Sequence, residues 1–343
     1  MNDLRIKKLI HSLVGVDGCL IEEPADLYYL TGLSLSVGKL FAAPSGACLF
    51  VDGRYYGKAK QEAPCPVALI ESFKESLRKA KRIAFDSAFV TYNGFSALKS
   101  SFPHVEWVPV SSPVKNLRLC KDPGEIAALK KAARLTWEGY QRIVQILKEG
   151  ITEAEAALEF EIFCRKKGAS GFSFETIIAF GENSAYPHYR AGNARLHKNQ
   201  IVLIDAGAVI DKYHGDMTRV FFFGEPDPRL SRFFHLVRRA QQKAVAHVRP
   251  GVKLGELDQI VREEFRKENV EELYTHSLGH GIGLETHEYP RIKADGEDKD
   301  LILKPGMVFT IEPGLYQPGL GGARYEDTVL VTEIGCENFY PQE

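Results

Sequence analysis

The sequence carries no excess charge of either sign. Lysine and arginine number 44 against 45 aspartates and glutamates, a formal net charge of -1. Such a balance forces no strongly basic face, which argues against a nucleic-acid partner. Long apolar runs are also missing. Stretches such as VFFF at 220–223 are far too short to span a bilayer, so no membrane partner is expected. The opening MNDLRIKKLIHSLVGV has neither an apolar h-region nor a small-residue cleavage site, and is not expected to act as a secretory signal. Cysteine is sparse and scattered: six residues, at 19, 48, 65, 120, 164 and 336, with no C-x-x-C pair. That argues against a disulfide framework or a zinc ribbon and fits free thiols in a reducing cytoplasm. The zincin signature H-E-x-x-H is absent, because Pro290 and Arg291 follow His287-Glu288-Tyr289. There is no low-complexity segment and no short-period repeat.

What is present is a chain of 343 residues, 44% hydrophobic and 26% charged, which suits a globular protein of about two domains. Short β-like runs alternate with helical stretches from 1 to about 110, an α/β pattern. GACLFVDGRYY (46–56) reads as a strand entering a turn, with Asp52, Arg54 and Tyr55 at that turn; RIAFDS (82–87) reads as a buried strand. Ser111 to Leu117 reads as a linker, and a domain boundary is expected near residue 118. Beyond it, Asp122 with Pro123 and Glu125, then Thr152 with Glu155, are N-terminal helix signatures. From 172 the pattern turns to β-rich runs: FSFETIIAF (172–180), QIVLIDAGAVI (200–210), DMTRVFFFG (216–224), MVFTIEPG (307–314) and YEDTVLVTE (325–333). Helical stretches at about 228–248 and 254–268 interrupt them, giving an α+β domain.

Acids stand where apolar residues belong. Asp205 lies inside VLIDAGAV, and Asp216 opens the next run. A hairpin turning around Ile210 and Asp211 would set them opposite each other. Glu312 ends VFTIE and Glu326 begins the last strand; a hairpin centred on Gly319 would set those two opposite each other. One facing pair at about 4 Å costs on the order of 4 kcal/mol at an effective dielectric near 20. Protonation or bound cations must relieve it. Four carboxylates balance two divalent ions, a charge count that points to a two-metal centre. The plainer alternative is a set of strand-end ion pairs to Arg219, Arg324 or Lys212. Between the two hairpins lies HSLGHGIGLETHEYP (276–290), where glycines let the backbone approach a site closely and a neutral imidazole makes a good metal ligand.

With LIDAGAVIDKYHGDMTRVF, HSLGHGIGLETHEYP, TIEPG and RYEDTVLVTE in this order and spacing, the chain resembles the metal-dependent pita-bread peptidases, in particular the aminopeptidase P and prolidase branch. The N-terminal DLYYLTGL and FVDGRYY resemble the creatinase-like domain of that branch, which methionine aminopeptidases typically lack. The resemblance implies a creatinase-like α/β domain (1–118) followed by an α+β pita-bread catalytic domain (119–343), with antiparallel hairpins related by a pseudo-twofold. It implies that Asp205, Asp216, His280, Glu312 and Glu326 hold two divalent metals, Asp216 and Glu326 bridging. The carboxylate-rich set favours Mn, with Co or Zn as alternatives. None of the five ligands is substituted, unlike in relatives that have lost the metal. His188, His276 and His287 match substrate-site histidines, and Arg324 matches a supporting arginine. The activity implied is that of an Xaa-Pro aminopeptidase on short peptides with proline second, in a cytoplasmic homodimer. A metal-activated water would attack the carbonyl before proline, with Glu312 moving the proton. The alternative is an Xaa-Pro dipeptidase, for which Arg291 offers a clamp for the C-terminal carboxylate. A non-catalytic peptide-binding module is the reading from another class. Asp52, Arg54 and Tyr55 read as a capped, exposed turn, with reach to a catalytic cleft as the alternative.

Overall fold

A computed structural model describes residues 2–341. The chain divides into two compact units, one ending at Arg118 and one starting at Leu119.

The first unit is built on a six-stranded mixed sheet. In spatial order its strands are Val67–Leu69, Gly46–Val51, Lys39–Ala43, Gly18–Ile21, Arg82–Asp86 and Glu106–Val110. The last three run parallel; Lys39–Ala43 is antiparallel to both of its neighbours. Phe50, Phe73, Phe102 and Trp107 make a run of edge-to-face contacts on the sheet. The expected turn at 52–55 is instead the start of a helix, Gly53–Glu62. Asp52 caps it by accepting from Arg54 N at 2.9 Å, and binds the Arg54 guanidinium at 2.6 Å. Ser111 to Leu117 is not a plain linker either. It runs into the short helix Lys115–Arg118, and buried Arg118 pairs with Asp26 at 2.8 Å.

The second unit repeats one plan twice. Its first half opens with α1 (Pro123–Ile146) and α2 (Glu153–Lys166), each started by a full capping box, Asp122 with Glu125 and Thr152 with Glu155. Strands β1 (Ile177–Phe180), β2 (Gln200–Ala206) and β3 (Met217–Phe223) follow, with β2 central and both pairings antiparallel. The second half opens with α3 (Pro228–His247) and α4 (Leu254–Lys267). Strands β4 (Gly279–Gly281), β5 (Val308–Ile311) and β6 (Asp327–Val331) follow, again with the middle strand central and both pairings antiparallel. Glu288–Ile292 and Cys336–Asn338 extend this second sheet at its edges.

Each helix pair covers its own sheet. Ile143, Phe160, Ile178, Val202 and Ile204 fill one core; Val237, Leu257, Phe265, Phe309 and Ile311 fill the other. Burying each such side chain contributes about 1.5–3 kcal/mol. Two β-rich runs are broken rather than continuous. Residues 172–180 divide into Gly171–Phe172 and β1. Residues 200–210 divide at Gly207, where a Cβ would lie 2.0 Å from Gly215 O. No helix of the described residues is long and apolar enough to cross a membrane.

Candidate metal centre

Strand register decides which acids meet. In the first hairpin Asp205 opposes Thr218 and Ala206 opposes Met217, so Asp216 lies level with Gly207. The turn residues are Asp211 and Lys212, both with left-handed φ of 51° and 71°, as a two-residue hairpin turn requires. The expected turn around Ile210 and Asp211 is therefore one residue early, and the acids are not directly opposed. They are diagonal neighbours on one face, since alternate residues of a strand point the same way. The second hairpin has the expected register. Ile311 opposes Asp327 and Gly314 opposes Arg324, which sets Glu312 against Glu326, with Gly319 (φ 77°) at the midpoint.

Asp216, His280 and Glu326 each place one donor atom within 4.8 Å of the others. His280 sits on β4, where Gly279 runs so close to β5 that a Cβ would meet Thr310 O at 2.0 Å. Its Nδ1 lies 3.0 Å from Gly281 O, so Nδ1 carries the proton and Nε2 keeps its lone pair. Nε2 faces Glu312 Oε1 at 3.4 Å and Asp216 Oδ2 at 3.7 Å. Two threonines, each two residues from an acid, hold the carboxylates. Thr218 donates to Glu326 at 2.7 Å, and Thr310 donates to Glu312 at 3.3 Å. Arg324, almost wholly buried, donates to Asp205 Oδ2, to Tyr316 Oη at 2.7 Å and to Thr218 Oγ1 at 3.0 Å. Asp205 Oδ1 is buried with no hydrogen-bond partner among the described residues. Arg219 pairs with Asp327 at 2.7 Å and donates to the backbone carbonyl of Glu326 at 2.6 Å.

Burial, then the neighbouring acids, pushes Asp216 and Glu326 well above the usual carboxylate range. Burial pushes Glu312 up to about 8. Burial also drives His280 down to about 4, keeping its ring neutral. Crowded oxygens, an orphaned carboxylate oxygen and an imidazole lone pair aimed among them fit a divalent cation bound mainly by oxygen.

A pH dependence follows for the metal-free protein. Glu312 holds a proton up to about pH 8 when folded, against 4.5 for an ordinary glutamate. The folded state then binds more protons across that window, and stability falls as pH rises through it. Below 6.5 His276 and His280, held near 4 by burial, exert the opposite trend. Between pH 6.5 and 8 the thermal midpoint of chelated protein should therefore fall, as the folded state gives up the Glu312 proton. Saturating divalent metal should remove the fall. Scanning calorimetry at the two pH values checks this, and a midpoint that rises with pH contradicts it.

The ten residues that the sequence and its resemblance assign to metal, catalysis or substrate line one cleft of about 570 Å³: His188, Asp205, Asp216, His276, His280, His287, Arg291, Glu312, Arg324 and Glu326. His287 packs edge-on to His280, ring centroids 4.3 Å apart. His188, His287 and Arg291 are exposed. His276 is differently placed. Its Nδ1 donates to Ser277 O at 2.8 Å and its Nε2 accepts from Tyr316 Oη at 2.9 Å, so both ring nitrogens are engaged within the protein. Burial, with Arg324 nearby, lowers its pKa to about 4. Tyr316 therefore links His276 to Arg324, a connection absent from the sequence reading. Thr218 and Thr310 were also missed, although their two-residue spacing from Asp216 and Glu312 was legible. Glu288 is a further omission. It accepts from Leu284 N at 2.7 Å and Glu285 N at 3.2 Å, and pairs with buried Lys121 at 3.3 Å, fixing the loop beside His287.

Residues 127–333 match Metallopeptidase family M24, and residues 5–120 match the Creatinase/Prolidase N-terminal domain. The chain is 34% identical to an Xaa-Pro dipeptidase of Pyrococcus furiosus, over 99% of this chain and 98% of that one. The structure of the prolidase of Pyrococcus horikoshii OT3 superposes with a TM-score of 0.94 at 33% identity, covering 99% of both chains. The structure of an X-Pro aminopeptidase of Thermotoga maritima MSB8 superposes with a TM-score of 0.90 at 34% identity, covering 99% of this chain and 98% of that one.

Proposed function

The chain belongs to metallopeptidase family M24, with a creatinase/prolidase N-terminal domain preceding a pita-bread catalytic unit, and on that premise we propose that it is an Xaa-Pro dipeptidase. One observation carries the choice of reaction: five intact donors, Asp205, Asp216, His280, Glu312 and Glu326, gathered on the wall of a single cleft. The family uses divalent metal. Two ions, Mn by preference, would be held by these five residues and would supply a Lewis acid and an activated water. Glu312 is the proton mover: it takes a proton from the water and returns it to the proline nitrogen as the C–N bond breaks. His287 and His188, exposed on the cleft, orient the peptide carbonyl and its N-terminal residue. His276 acts through Tyr316 and Arg324, which keep Asp205 aimed at the centre. An Xaa-Pro bond lacks the N–H that ordinary peptidases bind, which gives a dedicated cleft its purpose. A non-catalytic binding module would have no use for an intact donor set.

The aminopeptidase expectation yields to the dipeptidase because the full-length relative from Pyrococcus furiosus carries that name. Arg291, on the cleft wall, suits bidentate capture of the proline carboxylate. Gly-Pro or Leu-Pro should be cleaved with higher kcat/KM than Leu-Pro-Gly. Arg291→Ala should raise KM for the dipeptide about 10-fold or more with kcat nearly unchanged. Faster cleavage of the tripeptide would restore the aminopeptidase. The six free thiols support a reducing compartment.

A further inference from the structure

Glu153 takes no part in the chemistry above. It stands one residue after Thr152, at the start of α2, where the capping box uses Glu155 instead. Its exposure is nevertheless 0%. Its oxygens accept four hydrogen bonds. Phe180 N and Asn183 Nδ2 each reach Oε1 at 2.9 Å; Tyr189 Oη reaches Oε2 at 2.8 Å and Gly192 N reaches it at 3.1 Å. All four donors lie on one stretch, from the end of β1 to Gly192. The backbone of α2 adds Glu153 N to Ala194 O at 3.1 Å and Ala154 N to Gly192 O at 3.0 Å.

That stretch carries His188, Tyr189 and Arg190 into the cleft. Its regular structure is a single 3-10 turn, Gly181–Ala185. A buried carboxylate is costly alone, but four donors, two on each oxygen, hold its charge. Burial and the bond to Glu153 push the Tyr189 phenol up to about 12, so it remains a donor at any working pH.

We propose that Glu153 is a positioning residue for the peptidase: it clamps both ends of the 180–192 loop and so sets the place of His188 against the substrate. The assignment rests on the reading that His188 touches the peptide. Glu153→Gln keeps the shape but turns one acceptor oxygen into a donor facing donors. It should lower kcat/KM for an Xaa-Pro dipeptide about 10- to 100-fold, the scale of a misplaced reacting group. Added to His188→Ala, it should cost no more than about two-fold further, because both act on one interaction. Amide hydrogen exchange at Phe180 and Gly192 should quicken in Glu153→Gln. Glu155→Ala is the control. It removes the acceptor for Thr152 N at the same helix end, and should lower the thermal midpoint while leaving kcat/KM within about two-fold.

Wild-type kcat/KM in Glu153→Gln, or a loss that adds fully to that of His188→Ala, overturns the proposal. Wild-type kcat/KM in His188→Ala overturns the reading beneath it instead. If Glu153→Gln does not fold, Asn183→Ala, which removes one loop donor, takes its place in the same cycle. A several-fold loss absent from the His188→Ala background supports the clamp, and an additive loss or none overturns it.

Discussion

Glu312→Gln is expected to reduce kcat for an Xaa-Pro dipeptide roughly a thousand-fold, within the range that a lost proton-transfer group commands, with a much smaller change in KM. Glutamine keeps the size of the side chain and its place against Glu326, but it cannot take up a proton. In the metal-free protein burial raises Glu312 to about 8, close to the pH at which a proton must be exchanged. It also accepts from Thr310 and faces His280 Nε2 at 3.4 Å, so the variant should keep its fold and much of its metal affinity. Steady-state kinetics with metal content measured in parallel separates the two roles. Wild-type kcat in a metal-replete variant would remove Glu312 from the chemistry.

Arg324→Met is expected to destabilise the metal-free catalytic unit by about 3–5 kcal/mol, the usual cost of stripping one partner from a buried ion pair. Arg324 supplies the positive charge that touches Asp205, and its side chain is 3% exposed. Without it, the buried Asp205 carboxylate loses the guanidinium that donates to its Oδ2. Saturating divalent metal should restore a large part of the loss, since the cation supplies the missing charge. Peptidase activity should stay low even then, because Tyr316 loses the guanidinium that holds it against His276. Thermal unfolding with and without metal reads the first effect, and kinetics the second. Equal destabilisation with and without metal would mean that Arg324 and the cation do not share the acids.

Much of this arrangement was legible in the sequence, and the reason is locality. Asp122 and Thr152 start helices through bonds to residues three positions on, so the signal lies within one turn of chain. Gly319 centres its hairpin because the surrounding turn formers leave few other places for it. The first hairpin was misplaced by one residue because Asp211 and Lys212 adopt left-handed φ without the Asn-Gly signal that usually announces such a turn. The break at Gly207 arises from the close approach of Gly215, which no local pattern encodes. The same distinction runs through the site. His276, His280 and His287 stand out by spacing, but Tyr316, which engages His276, lies 40 residues away. Ser111 to Leu117 reads as linker because the pairing that anchors its end, Arg118 with Asp26, reaches 92 residues back. Glu153 was hidden inside a capping motif that explains its neighbours and not itself.

The central claim is that dications take the place of protons among Asp216, Glu312 and Glu326. Calorimetric titration of metal-free protein with Mn at pH 7, in two buffers of different ionisation enthalpy, tests it most directly. Burial raises Glu312 to about 8, and burial with the neighbouring acids raises Asp216 and Glu326 well above the carboxylate range, so at that pH Glu312 carries a proton that a cation must expel. The expected result is saturable uptake with a heat that differs between buffers, reporting release of protons as metal enters. Uptake with the same heat in both buffers, or no uptake at all, would contradict it.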